Sequence, residues 1–231
     1  MKFIGITGGV GAGKSTVLDY IATHKNARIL KADEISAKLC EPKNEADTKM
    51  RKQSEPNIDG NEKLQESHER GKTVNEKLQD LFANEDCFDE AGVMNRNKVA
   101  AIIFSDEQKR RQMERIVHPA VKKEILRIYE EEKKKEELDF LILEAALLIE
   151  EHYDEICDEL WYIWTNEENR RKRLKESRGY SDEKINRIFA GQLTEEEYRK
   201  HCKACIDNNH SAAETIANVE RVFAERSKAW V

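Results

Sequence analysis

Close to the start of the chain, Gly8, Gly9, Val10, Gly11, Ala12, Gly13, Lys14, Ser15 and Thr16 have the types and spacing for chemistry on a phosphate. The run satisfies GxxxxGK[ST] through Gly8, Gly13, Lys14 and Ser15. Glycines let successive backbone N–H groups turn inward around an anion, and a helix opening near Lys14 adds its positive end. Lys14 then reaches the outer phosphates of a nucleotide, and the Ser15 hydroxyl joins the shell of a Mg²⁺ ion. A glycine-rich turn with no ligand is the bland alternative. The apolar Lys2–Thr7 run before the loop and the helix former Val17–Ile21 after it argue against that, because strand, turn and helix is the setting the chemistry needs.

Three further groups have chemistry in reach. Asp33 follows a short apolar run, and a carboxylate there can orient an acceptor alcohol and take its proton, or can cap a helix beginning at Glu34. Glu144 closes another apolar run, where an acidic residue can hold a metal through water; Glu150 competes for that role. Arg170, Arg171, Lys172 and Arg173, followed by Arg178, concentrate cations that can neutralise charge developing on a phosphoryl group in flight. Most charge runs are solvated helix faces, so one or two of these are expected at the nucleotide, with Arg173 and Arg178 leading.

These residues need a sheet edge to converge on. Lys2–Thr7, Ala27–Ala32, Leu138–Leu143, Glu159–Trp164 and Ala204–Asp207 read as strands separated by helical patterns. Alternating strands and helices imply a doubly wound parallel sheet whose ligands sit at the carboxyl ends of the strands. His118-Pro119 reads as punctuation between two helices, and the polar stretch from Lys43 to about residue 80 as a mobile or solvated helical excursion.

Composition narrows the class. With 231 residues the chain can bury a proper core, and a formal charge of −6 argues against a general nucleic-acid surface. Five cysteines without regular spacing fit free thiols in a reducing compartment; Cys202-x-x-Cys205 lacks partners for a metal. No stretch is apolar enough to span a membrane, and the N-terminus reads as a core strand, so a soluble cytoplasmic protein is expected, with its oligomeric state open.

Along most of its length the chain resembles the dephospho-coenzyme A kinases. The resemblance is carried in order by Thr7 to Thr16, Lys31-Ala32-Asp33, Glu41-Pro42, Gly92 to Arg96, Ile116 to Pro119, Ala146 to Glu150, Arg173-Leu174 with Arg178, Gln192, and Ile206 to Asn208. It implies transfer of the ATP γ-phosphate to the ribose 3′-hydroxyl of dephospho-coenzyme A, with Asp33 as base and Mg²⁺ on the phosphates. It also implies that Arg96 meets acceptor phosphate and that His118 belongs to the acceptor-binding part. Lys31 replaces a usual aspartate, Ala146 a usual proline and Cys202-Lys203 a usual Ala-Asp, which bears on substrate affinity and on a lid.

The combined expectation is an α/β fold: one P-loop NTPase-type domain over 1–231 with a parallel sheet of about five strands. Residues 1–33, 138–168 and 203–231 would form the nucleotide-binding core, 34–137 a helical acceptor-binding insertion, and 169–202 a lid. Another small-molecule P-loop kinase is the nearest rival. A non-catalytic nucleotide-binding regulator is the rival of another class, and a GTPase is disfavoured because no NKxD-type base-reading motif is present.

Overall fold

A computed structural model of the chain describes residues 1–42 and 71–230. Five parallel strands form one sheet in the order β2-β3-β1-β4-β5. They are β1 (Lys2–Thr7), β2 (Ala27–Lys31), β3 (Phe140–Glu144), β4 (Glu159–Trp164) and β5 (Ala204–Asp207). This is the expected α/β architecture, and β1 lies at its centre because it pairs on both edges, Ile6 with Glu144 and Thr7 with Tyr162.

The sequence explains that placement. Phe3, Ile4 and Ile6 of β1, Leu141, Ile142 and Leu143 of β3, and Trp161 and Ile163 of β4 are all fully buried, as strands covered on both faces require. On one face Ile4 and Ile6 pack with Ile21 of α1 (Lys14–His24) and Val219 and Phe223 of α9 (Ala212–Ala229). Each such side chain contributes roughly 1.5–3 kcal/mol. On the other face Phe3 stacks on Tyr129 of the long helix α5 (Glu107–Lys135), with ring centroids 4.9 Å apart.

Three helices follow β4: α6 (Glu167–Arg178), α7 (Asp182–Ala190) and α8 (Glu195–His201). Each is started by a short polar side chain, Asn166, Ser181 or Thr194, accepting from the backbone N–H three residues on. Arg171 and Lys175 of α6 both pair with Asp182, which ties α7 to α6.

The chain divides into two compact units, residues 1–32 with 126–231, and residues 33–125. The second unit holds most of α2 (Ala32–Leu39), then α3 (Val74–Leu81), α4 (Arg96–Ser105) and the first part of α5. Its Asn75 is buried, and the amide donates to the carbonyls of Cys40 (2.7 Å) and Gly92 (2.9 Å). Of the charged stretch expected over 43–80, residues 43–70 lie outside the described residues, and Val74 onward forms α3 with a capping box between Thr73 and Glu76.

Two local expectations are corrected. β2 ends at Lys31 and α2 opens at Ala32, so Asp33 is in the first helical turn rather than at the strand end or capping position. His118-Pro119 does not separate helices: Pro119 lies inside α5. The lost backbone hydrogen bond is outweighed because Val117, Val121 and Ile125 continue one buried face across it. The break falls instead at Asp106, whose extended backbone ends α4 and whose carboxylate accepts from Lys109 N at 2.9 Å to begin α5. Among the described residues no helix is long and apolar enough to cross a membrane.

Candidate functional site

The loop Gly8–Gly13 leaves the carboxyl end of β1 and enters α1 at Lys14. Gly13 occupies the helix N-cap position in the left-handed region, φ 80°, where a β-carbon is strained. No side chain caps α1, so the first N–H groups of the helix keep their capacity for an anion. Lys14 Nζ donates to the Gly8 carbonyl at 2.9 Å and lies 3.7 Å from Glu144 Oε1. Both side chains are only partly exposed, at 17% and 19%. The lysine is therefore held over its own loop, with a carboxylate at the end of the neighbouring strand. Ser15 and Thr16, the first hydroxyls of α1, are exposed to solvent. Ser15 Oγ and the Glu144 carboxylate are oxygen donors of the kind Mg²⁺ takes.

The outside of the loop is backed by α6 and by the end of β5. A β-carbon built on Gly9 would lie 2.8 Å from Arg170 Nη1 and closer still to Cζ and Nη2 of the same guanidinium. Arg170 Nε donates to the Val10 carbonyl at 3.0 Å, and its Nη2 donates to Gln192 Oε1. The same Gln192 oxygen accepts from Val10 N at 3.4 Å. The guanidinium stacks over Phe189, 4.2 Å from the ring centre, and burial pushes its pKa down from the usual arginine value. Further along, the Ala12 carbonyl accepts from Asn208 Nδ2 (2.7 Å), Thr165 Oγ1 (3.0 Å) and Arg173 Nη1 (3.4 Å). Arg173 Nη2 also donates to the Asn208 carbonyl at 2.7 Å. Asn208 Oδ1 is in turn fixed by the Thr215 hydroxyl of α9 at 2.7 Å.

Of the arginines singled out in the sequence, Arg173 therefore lies on the loop. Arg178 ends the same helix with its guanidinium 5.9 Å from the centre of the Tyr180 ring. Five residues separate the two, which turns the second roughly 140° around the helix. Arg170, one turn before Arg173, shares its face; that i, i+3 relation, with the helix phase set by the Asn166 cap, was the signal available in the sequence. Asn208 belongs to a run that carries the resemblance, but the bonds that Thr165 and Asn208 make to the loop had no comparable signal, since they follow strands that only the sheet brings together.

The residues expected for the acceptor all belong to the unit 33–125. Asp33 is exposed in the first turn of α2, where the helix dipole favours a carboxylate. Arg96 is the first residue of α4, exposed, 4.0 Å from Glu41. Its position is set by a tight turn in which Asp89 Oδ1 accepts from Ala91 N (3.0 Å) and Val93 N (2.8 Å), and by Asn95, which caps α4 by accepting from Lys98 N. His118 is half-buried within α5. Glu150 is exposed in the turn after β3. The five cysteines are free thiols; burial raises the pKa of Cys202 to about 12, and among the described residues no group of His, Cys, Asp or Glu is arranged to hold a metal by itself.

Comparison with known proteins gives a consistent result. The family model described as dephospho-CoA kinase matches residues 2–64 and 48–214. A dephospho-CoA kinase of Aquifex aeolicus is 31% identical, covering 99% of this chain and 99% of its own. One from Prochlorococcus marinus is 27% identical over 95% of this chain and 94% of its own length. The solved structure of a dephospho-CoA kinase from Campylobacter jejuni aligns over 100% of both chains with a TM-score of 0.65 at 20% identity, a likeness of fold.

Proposed function

This chain belongs to the dephospho-CoA kinase family, and from that premise we propose that it moves the γ-phosphoryl group of ATP to the ribose 3′-hydroxyl of dephospho-coenzyme A, yielding coenzyme A and ADP. The observation that carries the donor half is Lys14 seated between the Gly8 carbonyl and Glu144 at the head of an uncapped helix. There the ammonium can neutralise the β and γ phosphates while backbone amides within the run Gly8 to Thr16 cradle them. Ser15 would hold Mg²⁺ directly and Glu144 through water, and the ion would supply charge neutralisation.

For the acceptor half, the reading rests on resemblance together with residue chemistry. Asp33 orients the attacking 3′-hydroxyl and accepts its proton as the oxygen–phosphorus bond forms and the bond to the ADP oxygen breaks. Arg96 meets acceptor phosphate, and His118 contributes to acceptor binding. Arg173 and Arg178 are the cations assigned to transition-state charge. Arg173 is the better supported, being already on the loop.

The test is a coupled ADP-release assay run with dephospho-coenzyme A, with other alcohols and with no acceptor, followed by identification of the phosphorylated position. ADP release that requires dephospho-coenzyme A and gives the 3′-phosphate is the expected result. Indifference to dephospho-coenzyme A would sink the assignment, and binding of ATP with no product under any acceptor would favour a regulator.

A further inference from the structure

Glycine at position 9 has an unusual reason. Among the described glycines, positions 8, 11, 13, 92 and 179 have positive φ, and Gly9 does not. Alanine would therefore be tolerated at position 9 by the backbone alone. What a side chain would meet is Arg170, whose guanidinium lies in the space a β-carbon would take and would have to leave its present partners to admit one. That guanidinium is held from three sides: Val10 carbonyl accepts from Nε, Gln192 accepts from Nη2, and the Phe189 ring lies beneath. Gln192 closes the circuit by accepting from Val10 N. Phe189 lies in the last turn of α7 and Gln192 just beyond the helix, so one arginine joins the loop tip to the segment beyond α6. Pushing its pKa down by burial costs something that a purely solvated cation would avoid.

We propose that Arg170, tied to Gln192, is a positioning residue that holds Gly9 and Val10 in the shape that binds nucleotide phosphate, and that residue 9 is glycine to admit it. The arginine acts through the loop backbone: fixing both polar groups of Val10 from outside removes conformations in which the neighbouring amides face away from an anion. A lysine cannot replace it, because an ammonium lacks the planar fork that satisfies a carbonyl and an amide oxygen while stacking on a ring. The proposal rests on the nucleotide-binding part of the reading above and is independent of which acceptor is used.

The test measures the dissociation constant of the non-hydrolysable ATP analogue AMP-PNP with Mg²⁺ by calorimetry, for the unaltered chain, Arg170→Ala, Arg170→Lys, Gly9→Ala and the Gly9→Ala, Arg170→Ala pair. Arg170→Ala and Arg170→Lys should each weaken binding roughly tenfold, within the usual range of coupling between linked elements. Gly9→Ala should weaken it by a similar factor alone and add little once Arg170 is gone, since the collision has been removed. Gly9→Ala costing the same factor in both backgrounds, or Arg170→Lys restoring full affinity, overturns the proposal. Hydrogen exchange of the peptide 8–13 without nucleotide gives a second readout: faster exchange in each single variant and no further gain in the pair supports the latch, whereas unchanged exchange overturns it. A chain that binds no AMP-PNP but shows this exchange pattern would keep the latch and remove the kinase reading.

Discussion

Lys14 and Asp33 separate binding from chemistry at the level of single side chains. Lys14 already lies over the loop, 2.9 Å from the Gly8 carbonyl, so its charge is in place before any ligand arrives. Lys14→Ala should cost about 10²–10³ in kcat/KM, as loss of a preorganised charge at a developing anion does. The same variant should also weaken ATP-analogue binding. Asp33 is exposed, and its assigned work is on the acceptor hydroxyl. Asp33→Asn should lower kcat by about 10²–10⁴ while leaving the analogue's dissociation constant unchanged. Near-normal turnover of Asp33→Asn in the ADP-release assay rules it out as the base. Reading both variants together matters, because a general loss of folding would move both constants in both proteins.

Helix starts decide where several of these side chains point, and they can be tested individually. Asp106 ends α4 in an extended conformation and caps α5 through Lys109 N. Asp106→Ala should destabilise the protein by about 1 kcal/mol. For a chain of this size that is a fall in melting temperature of roughly 2–4 °C, read by thermal denaturation. An unchanged melting temperature would mean that α5 does not depend on this start. The same elements show how much could be read from the sequence. The strands were legible because Phe140 to Leu143 and Leu160 to Ile163 are unbroken apolar runs, which only a doubly covered sheet accommodates. The loop was legible because its spacing is itself the chemistry. Pro119 misled because local propensity opposes a helix there, while the buried face of Val117, Val121 and Ile125 favours one and prevails. Asp106 was legible in principle, since Ser105-Asp106-Glu107 has capping composition, but the proline was the louder signal. Choosing Arg170 alongside Arg173 as the residues of one helix face needed the phase of α6, which depends on where Asn166 starts it. The pairing of Gln192 with Val10 had no local signal at all, because 182 residues separate them.

At the scale of the whole molecule, the loop and a buried, acid-sensitive carboxylate occupy opposite edges of the sheet. Gly8 follows the carboxyl end of β1, whereas Glu159 is the first residue of β4, at the amino edge. Glu159 is 7% exposed and accepts from Arg226 Nε (2.9 Å) and Nη2 (2.6 Å), Trp161 Nε1 (3.0 Å) and Trp230 Nε1 (2.6 Å). It thereby fastens the last turn of α9 to the sheet. Burial alone would raise its pKa, but the donors from Arg226, Trp161 and Trp230 outweigh that and hold it below 4.5. A depressed carboxylate stabilises the folded state fully above its unfolded pKa and loses that contribution as the pH falls through the folded value. Glu159→Gln keeps the shape and removes the charge, so it should be about 2 kcal/mol less stable than the unaltered chain at pH 7. The gap should narrow below pH 4.5, the ordinary value from which Glu159 is lowered. Other carboxylates lowered by cations, including Glu220 and Asp182, keep both proteins acid-sensitive, so the informative quantity is the difference between the two denaturation curves. A difference that stays constant down to pH 3 would show that the charge of Glu159 is not what holds α9. AMP-PNP affinity at pH 7 should be the same in both proteins, because roughly 17 Å of strand separates Glu159 from the edge that carries the loop.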